Sequence, residues 1–178
     1  MGMKKIILII INVLGGVAVL GSYYVIVNAQ AAGATALWGG ISENVRPVYT
    51  VSMFLSALGY FAFLSFLLFR LSSDETVFGR FGYRMFYWIF LAMLLPSALW
   101  MPLSSWYLDN PSVGLWILIV VVLALVGLAS ISLVWALLSL KTRTRGAGVW
   151  YWFAVVGASY FAFHTAVLDA IIWPVLFQ

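Results

Sequence analysis

The sequence predicts an all-α integral membrane protein, a five-helix bundle with its N-terminus inside and its C-terminus outside. Hydrophobic residues make up 65% of the 178 residues and charged residues only 8%, whereas soluble domains carry about 25% charged residues. Five stretches are also long and apolar enough to cross a bilayer, which takes about 20 residues. Finally, the basic residues lie almost entirely on one side of these stretches. A soluble enzyme and a disordered chain are therefore excluded.

The predicted spans form a single domain over residues 1–178, without an internal repeat or a dividing linker. The first span carries Asn12 as its one strongly polar residue. Its length and the lack of a convincing cleavage site favour a retained span over a signal peptide. The last two spans exceed one bilayer thickness and are expected to tilt or to extend beyond the lipid. The spans cover about residues 6–27, 48–69, 85–103, 113–140 and 149–177.

The positions of Lys and Arg set the expected orientation, because short loops rich in these residues stay on the cytoplasmic side. Eight of the nine lie at the N-terminus and in the second and fourth loops, and only Arg46 lies in the first loop. We expect a multi-pass protein of the bacterial cytoplasmic membrane that binds no nucleic acid, since these cations form no basic patch. The eight are Lys4, Lys5, Arg70, Arg80, Arg84, Lys141, Arg143 and Arg145.

Two loops differ from minimal connections. The first, about residues 28–46, is rich in glycine and alanine and is expected to lie on the outer face as a lid. The third, which holds Trp106, Tyr107, Asp109 and Pro111, is predicted as a turn beside interfacial aromatic side chains.

Small and polar residues predict how the spans associate, since lipid offers no hydrophobic drive for helices to pack. The fifth span has an alanine at every fourth position from Ala154 to Ala170, so we expect it to lie centrally. In the second span, Ser52, Ser56 and Tyr60 share one face, which we expect to point into the bundle. Pro96 and Pro102 are expected to kink or end the third span, because each removes a backbone donor. These two residues also lie in an otherwise apolar stretch.

Two ionisable residues lie deep in a predicted span, His164 and Asp169, and such groups are functional candidates because they are costly in a membrane. Five α-helical residues at about 100° each leave them about 140° apart, so no preformed pair is predicted. Tyr160 shares the face of His164. His164 is either a haem ligand, a proton relay, a ligand contact or a neutral imidazole bonded to a neighbouring helix. Asp169 is either functional or bonded to helix partners.

No catalytic constellation and no metal site are visible, and the chain has no cysteine. An enzyme is therefore the less favoured class, although the sequence does not decide it. Aromatic residues make up 17% of the chain. Those inside spans, such as Tyr60, Trp100 and Tyr160, are suited either to packing or to stacking on a flat apolar ligand.

Two segments resemble the tryptophan-rich sensory protein/translocator family (TspO/MBR). Pro47-Val48-Tyr49-Thr50 is similar to the family's Pro-Val-Trp segment at the entry to its second helix. Residues 97–103, Ser-Ala-Leu-Trp-Met-Pro-Leu, are similar to its Asn-x-x-Trp-x-Pro pattern in the third helix. The resemblance implies a homodimer and a pocket under the first loop for a tetrapyrrole, sterol or isoprenoid-like ligand. The pocket residues that it implies are Trp38, Tyr49, Met53 and Trp100.

The leading hypothesis is a membrane binding or transport protein for a hydrophobic planar ligand, a tetrapyrrole or another hydrophobic pigment among the candidates. The alternatives are a structural or accessory subunit of a larger membrane complex, and a proton-coupled transporter that uses His164 and Asp169. The predicted ligand-binding residues are Trp38, Tyr49, Met53, Tyr60, Trp100, Tyr160, His164 and Asp169.

Overall fold

The computed structural model describes residues 2–29, 33–140 and 148–177, which are mainly helical. The first loop contains a 3₁₀ helix, Gly33–Trp38. A hairpin of two short antiparallel strands, β1 (Thr76–Val77) and β2 (Phe81–Gly82), follows the second helix. The α-helices are α1 (Met3–Ala29), α2 (Arg46–Ser65), α3 (Met85–Asp109), α4 (Val113–Leu138), α5 (Gly148–Ala162) and α6 (Trp173–Phe177). Two π-helical segments continue the chain, Phe66–Arg70 after α2 and Phe163–Ile172 between α5 and α6.

Within the described ranges, five helical stretches are long and apolar enough to span a membrane, which confirms the all-α class and the five predicted apolar helices. The third span was predicted over about residues 85–103. This range is too short, because α3 continues through Pro96 and Pro102 to Asp109. Neither proline ends the helix, and Trp106 and Tyr107 belong to it rather than to a loop. The true connection is the short turn 110–112, where the Ser112 side chain caps α4 by accepting a hydrogen bond from the Leu115 amide.

The helices pack in the order α1, α3, α4, α5, α2, so α5 lies between α2 and α4, and the middle position, expected for the fifth span, belongs to α4. Ala154, Ala158 and Ala162 are buried. Glycine allows the closest approach: a Cβ built on Gly157 would lie 2.8 Å from the carbonyl oxygen of Gly59 on α2. Small residues at such crossings let backbones approach closely, which is a main source of stability between helices in lipid.

At one end of the bundle, which we call the hairpin end, polar contacts join α1 to α3 and to the segment that follows the second helix. Lys4 Nζ donates to the Ser73 carbonyl at 2.9 Å. The Lys4 backbone carbonyl accepts a hydrogen bond from the Tyr87 hydroxyl at 2.6 Å. Further along α1, Asn12 Oδ1 accepts a hydrogen bond from the Tyr60 hydroxyl. The Tyr60 ring is half-buried, and Ser52 and Ser56 are buried, so the predicted polar stripe does face the bundle.

The hairpin itself was not predicted. Phe78 and Gly79 adopt positive φ angles of 54° and 71°, and the Phe78 amide donates to Ser139 Oγ at 2.8 Å. Next to the hairpin, the buried Tyr83 hydroxyl donates to the Leu67 carbonyl at 3.0 Å. Burial raises the pKa of this hydroxyl above its ordinary value, so it remains a donor across the usual pH range.

The first loop covers the opposite end of the bundle, which we call the first-loop end. Trp173 Nε1 donates to the Leu37 carbonyl at 3.3 Å, and Ile41 is almost fully buried. Gly39 has a φ of +53°, and a Cβ built there would lie 2.7 Å from Phe177 Cα. The close contact with α6 thus depends on a residue without a side chain.

Candidate functional site

Polar side chains converge between α2 and the fifth helical stretch, toward the first-loop end. We call Ser52, Tyr160, His164 and Asp169 the polar cluster. Ser52 lies in α2, Tyr160 in α5, and the other two in the π segment that follows α5. Ser52 and His164 expose only 4% and 6% of their surface, whereas the Asp169 side chain exposes 30%. The carboxylate therefore lies at the accessible edge of the cluster and the imidazole in its interior.

His164 and Asp169 form a close pair, with Nε2 of His164 at 3.7 Å from Oδ2 of Asp169. The prediction that they point to different faces was wrong. It assumed an α-helix, but residues Phe163–Ile172 form a π-helix, whose i→i+5 hydrogen bonds bring residues five apart nearly above one another. Such π segments are rare and occur frequently at functional sites. The pair is a product of this backbone geometry.

Ser52 connects the imidazole to Tyr160. Its Oγ lies 2.9 Å from Nδ1 of His164 and accepts a hydrogen bond from the Tyr160 hydroxyl at 3.1 Å. A serine hydroxyl that accepts from tyrosine is free to donate its own hydrogen to Nδ1. The proton of a neutral imidazole then lies on Nε2, facing Asp169. Close polar contacts thus link Tyr160, Ser52 and His164, and the Asp169 carboxylate lies beside the imidazole at 3.7 Å.

The α4 helix supports the π segment from the other side. A Cβ built on Gly127 would lie 2.9 Å from Ala166 Cα, so the two backbones are in close contact. The Thr165 hydroxyl lies 2.9 Å from both Ser130 Oγ and the Phe161 carbonyl. These contacts fix the segment against its neighbour and thereby hold His164 and Asp169 in register.

The geometry of His164 bears on its predicted role as a haem ligand. Nδ1 is engaged by Ser52 at 2.9 Å and Nε2 faces the Asp169 carboxylate at 3.7 Å. An axial ligand needs one free ring nitrogen directed at the iron. In this arrangement, ligation would require displacing one of the two partners, so the geometry favours a hydrogen-bonding imidazole over an iron ligand.

Aromatic side chains pack together beneath the first loop. Trp116 stacks on Phe177 with ring centroids 5.6 Å apart, and Trp173 meets Trp100 edge to face at 5.5 Å. Trp38 contacts Tyr49 edge to face at 6.2 Å. We call the following residues the aromatic cluster: Trp38, Tyr49, Trp100, Tyr107, Trp116, Trp173 and Phe177.

The aromatic and polar clusters adjoin along the π segment. The Tyr49 hydroxyl donates to the Leu168 carbonyl at 3.2 Å, one residue before Asp169. Tyr23 on α1 packs its ring on Trp100 with centroids 5.7 Å apart. One region therefore contains flat rings and, at its edge, an ionisable pair.

Two buried polar atoms on α3 have no hydrogen-bond partner among the described residues, Trp100 Nε1 and Ser104 Oγ. They are four residues apart and so lie on the same face of the helix. The Trp100 ring belongs to the aromatic cluster, and Ser104 is fully buried. Buried donors are nearly always paired in native proteins, so unpaired ones need an explanation.

The structure divides the eight predicted ligand-binding residues into separate groups. Tyr160, His164 and Asp169 belong to the polar cluster; Trp38, Tyr49 and Trp100 belong to the aromatic cluster. Tyr60 lies two helical turns from Ser52, bonded to Asn12. Met53 exposes 41% of its surface.

The pocket under the first loop stays a prediction. Two open grooves in the described part of the chain have volumes of about 690 and 490 Å³, and none of the eight predicted residues lines either groove. The first lies at the turn between α3 and α4, beside Trp106 and Asp109. The second lies at the hairpin end.

Several residues of the two clusters were not predicted as site residues from the sequence. Ser52 was visible in the polar stripe of α2 but was not named as a binding residue. Trp116, Trp173 and Phe177 carried no signal beyond their aromatic character, because only the tertiary fold brings them together. The π-helix, which pairs His164 with Asp169, has no counterpart in the apolar periodicity.

Comparison with protein-family models, with curated proteins and with solved structures finds no match.

Proposed function

We propose that this chain is a five-span protein of the bacterial cytoplasmic membrane, with the hairpin end in the cytoplasm and the first-loop end outside. The charge distribution supports this orientation. Lys4, Lys5, Arg70, Arg80 and Arg84 all belong to the hairpin end, whereas Arg46 lies at the first-loop end, 3.9 Å from Glu43. The other three predicted cytoplasmic cations, Lys141, Arg143 and Arg145, lie outside the described residues. A reporter fused to the C-terminus should be active only on the outer side, and a cytoplasmic readout would overturn the orientation.

The proposed function of the chain is to bind and carry a hydrophobic planar ligand. The ligand would bind at the aromatic cluster under the first loop. The observation that carries this proposal is the pair of unpartnered donors, Trp100 Nε1 and Ser104 Oγ, in a region rich in flat rings. Rings supply apolar area and stacking, and a few polar groups fix the orientation of a ligand in such sites. A tetrapyrrole, sterol or isoprenoid-like molecule with one oxygen or nitrogen acceptor has the required chemistry.

The experiment is a titration of purified protein with a porphyrin, a sterol and a carotenoid, followed by quenching of tryptophan fluorescence and by co-purification. Trp100→Phe keeps an aromatic ring but removes the N–H donor. We expect it to weaken binding by about 2- to 10-fold, the equivalent of one hydrogen bond. Trp88→Phe is the matched control, because Trp88 lies on the same helix but exposes 70% of its surface. Absence of binding by all three ligands, or equal loss in both variants, would contradict the proposal.

A second candidate, a proton-coupled transporter, is favoured by the polar cluster. Further along the same α2 stripe lie Ser56 and Tyr60, and the Tyr60 hydroxyl donates to Asn12 Oδ1. Consecutive stripe positions are about 6 Å apart along the helix, which is too far for a direct hydrogen bond between them. Ionisable residues inside membranes commonly serve as proton relays. This function requires Asp169 and His164 to exchange protons rather than only to hold each other.

Proton flux in reconstituted vesicles, read with a trapped pH-sensitive dye, tests this candidate. Asp169→Asn should abolish flux, because the amide cannot take up a proton at neutral pH. Asp109→Asn removes the same charge at the exposed end of α3 and should leave flux unchanged. Vesicles in which the wild-type chain gives no flux above empty vesicles would exclude the candidate.

A further inference from the structure

A groove at the hairpin end has the composition of a lipid-headgroup site. It lies between the start of α1 and the end of the second helix and has a volume of about 490 Å³. Its lining combines a lysine and two serines with two large apolar residues. The lining residues are Gly2, Lys5, Leu68, Phe69, Ser72 and Ser73.

The two lysines at the start of α1 are used differently. Lys4 donates to the Ser73 carbonyl at 2.9 Å and pairs with Asp74 at 3.5 Å, so its charge is already matched. The Lys5 ammonium makes no ion pair or hydrogen bond with the described residues. Lys5 is one of the residues that line the groove.

The hydroxyl groups of the groove are suited to an anion. Ser72 Oγ accepts from the Asp74 amide at 3.3 Å, which leaves its own hydrogen available as a donor. Ser73 adds a second hydroxyl at the rim. Two acidic residues follow the serines in the chain. Asp74 pairs with Lys4 and exposes 89% of its side chain, and the Glu75 amide donates to the Ser72 carbonyl at 3.3 Å. Neither acidic residue lines the groove, whereas Lys5 does.

The apolar wall distinguishes a lipid from a soluble anion. Leu68 is buried, but Phe69 exposes 71% of its surface at the end of a membrane-spanning stretch. A free phosphate would gain nothing from this ring. A phospholipid would place its phosphate near Lys5 and the serine hydroxyls, and its first acyl carbons along Phe69.

We propose that this groove binds an anionic phospholipid of the cytoplasmic leaflet, with Lys5, Ser72 and Ser73 contacting the phosphate and Phe69 contacting the acyl chains. Cations at this surface are attracted to anionic lipids. What sets this site apart is one unpaired lysine beside an exposed aromatic wall. The inference depends on the membrane placement proposed above but not on the ligand at the first-loop end, so either can fail alone.

The test measures binding of phosphatidylglycerol and of phosphatidylcholine with the same acyl chains to the purified full-length chain, by native mass spectrometry from detergent. Phosphatidylglycerol should bind more tightly, and Lys5→Gln should weaken it about fivefold, as expected for one lysine near a membrane surface. Lys5→Arg should retain binding. Arg80→Gln is the matched control, because Arg80 is an exposed cation of the hairpin, at the same end, that does not line the groove.

Three results would overturn the site. Equal binding of the two lipids would show that the net negative charge of the headgroup is not recognised. An equal loss in Arg80→Gln and Lys5→Gln would indicate diffuse surface attraction instead of a site. Displacement of phosphatidylglycerol by inorganic phosphate, at an ionic strength matched with chloride, would show that the phosphate alone is recognised. Phe69→Ala should also weaken binding, and unchanged binding in that variant would refute the apolar contact.

Discussion

The contact between Gly157 and Gly59 makes a quantitative prediction for Gly157→Ala. The new Cβ would lie 2.8 Å from the Gly59 carbonyl oxygen and 2.9 Å from its Cα, whereas ordinary contacts begin near 3.4 Å. These neighbours are backbone atoms that cannot rotate away, so α2 and α5 must separate by about half an ångström. Overpacking of this kind costs about 1–3 kcal/mol, against at most about 1 kcal/mol gained from the better helix propensity of alanine.

The matched control is Gly16→Ala in α1, where a Cβ would meet nothing within 4 Å. It should keep the propensity gain without the clash, so the two variants should differ by about 1–3 kcal/mol. For a chain of this size, each kcal/mol shifts the melting temperature by about 2–4 °C. Thermal unfolding in detergent, followed by circular dichroism, should therefore show Gly157→Ala melting several degrees below Gly16→Ala.

The same variant also tests the polar cluster, because Ser52 and His164 meet across the same interface. Separation of α2 from α5 would lengthen the 2.9 Å contact between Oγ and Nδ1. If Gly157→Ala melted at or above the temperature of Gly16→Ala, the close packing of α2 on α5 would be wrong. The positions of Ser52 and His164 would then have to be reconsidered.

Two further substitutions test the polar contacts between helices. Ser52→Ala leaves both His164 Nδ1 and the Tyr160 hydroxyl without their shared partner, and should lower the free energy of unfolding by about 0.6–2 kcal/mol, measured by denaturant titration in detergent. An unchanged value would show that the two groups find other partners. Tyr60→Phe keeps the ring and removes the hydrogen-bond donor to Asn12. Exchange of the backbone amide hydrogens along α1 should therefore accelerate. Exchange at the wild-type rate would show that this hydrogen bond does not hold α1 to α2.

The spans were predictable because the membrane imposes a simple rule. A chain that crosses lipid must satisfy its backbone hydrogen bonds within a helix and cover that helix with apolar side chains. Length and composition therefore identify five helices. The end of α3 was missed because Pro102 was expected to disturb the helix, which instead continues to Asp109.

The inward faces of the helices were predictable in part. Ser52 and Ser56 are buried as the polar stripe of α2 indicated, and Ala154 and Ala158 are buried as the alanine pattern of α5 indicated. Small and polar residues are the ones that gain from contact with another helix in lipid. The identity of their partners, such as Gly59 for Gly157, was not contained in these patterns.

By itself, the sequence determined the five long apolar helices and the few polar residues that they contain. Only the tertiary structure decided which of those residues meet. His164 and Asp169 pair because the backbone becomes π-helical between α5 and α6, where Ala166 packs on Gly127 of α4. Trp100 and Trp173 meet although 73 residues separate them. Hydrophobicity is a property of each segment, but helix register and ring contacts depend on how the segments pack together.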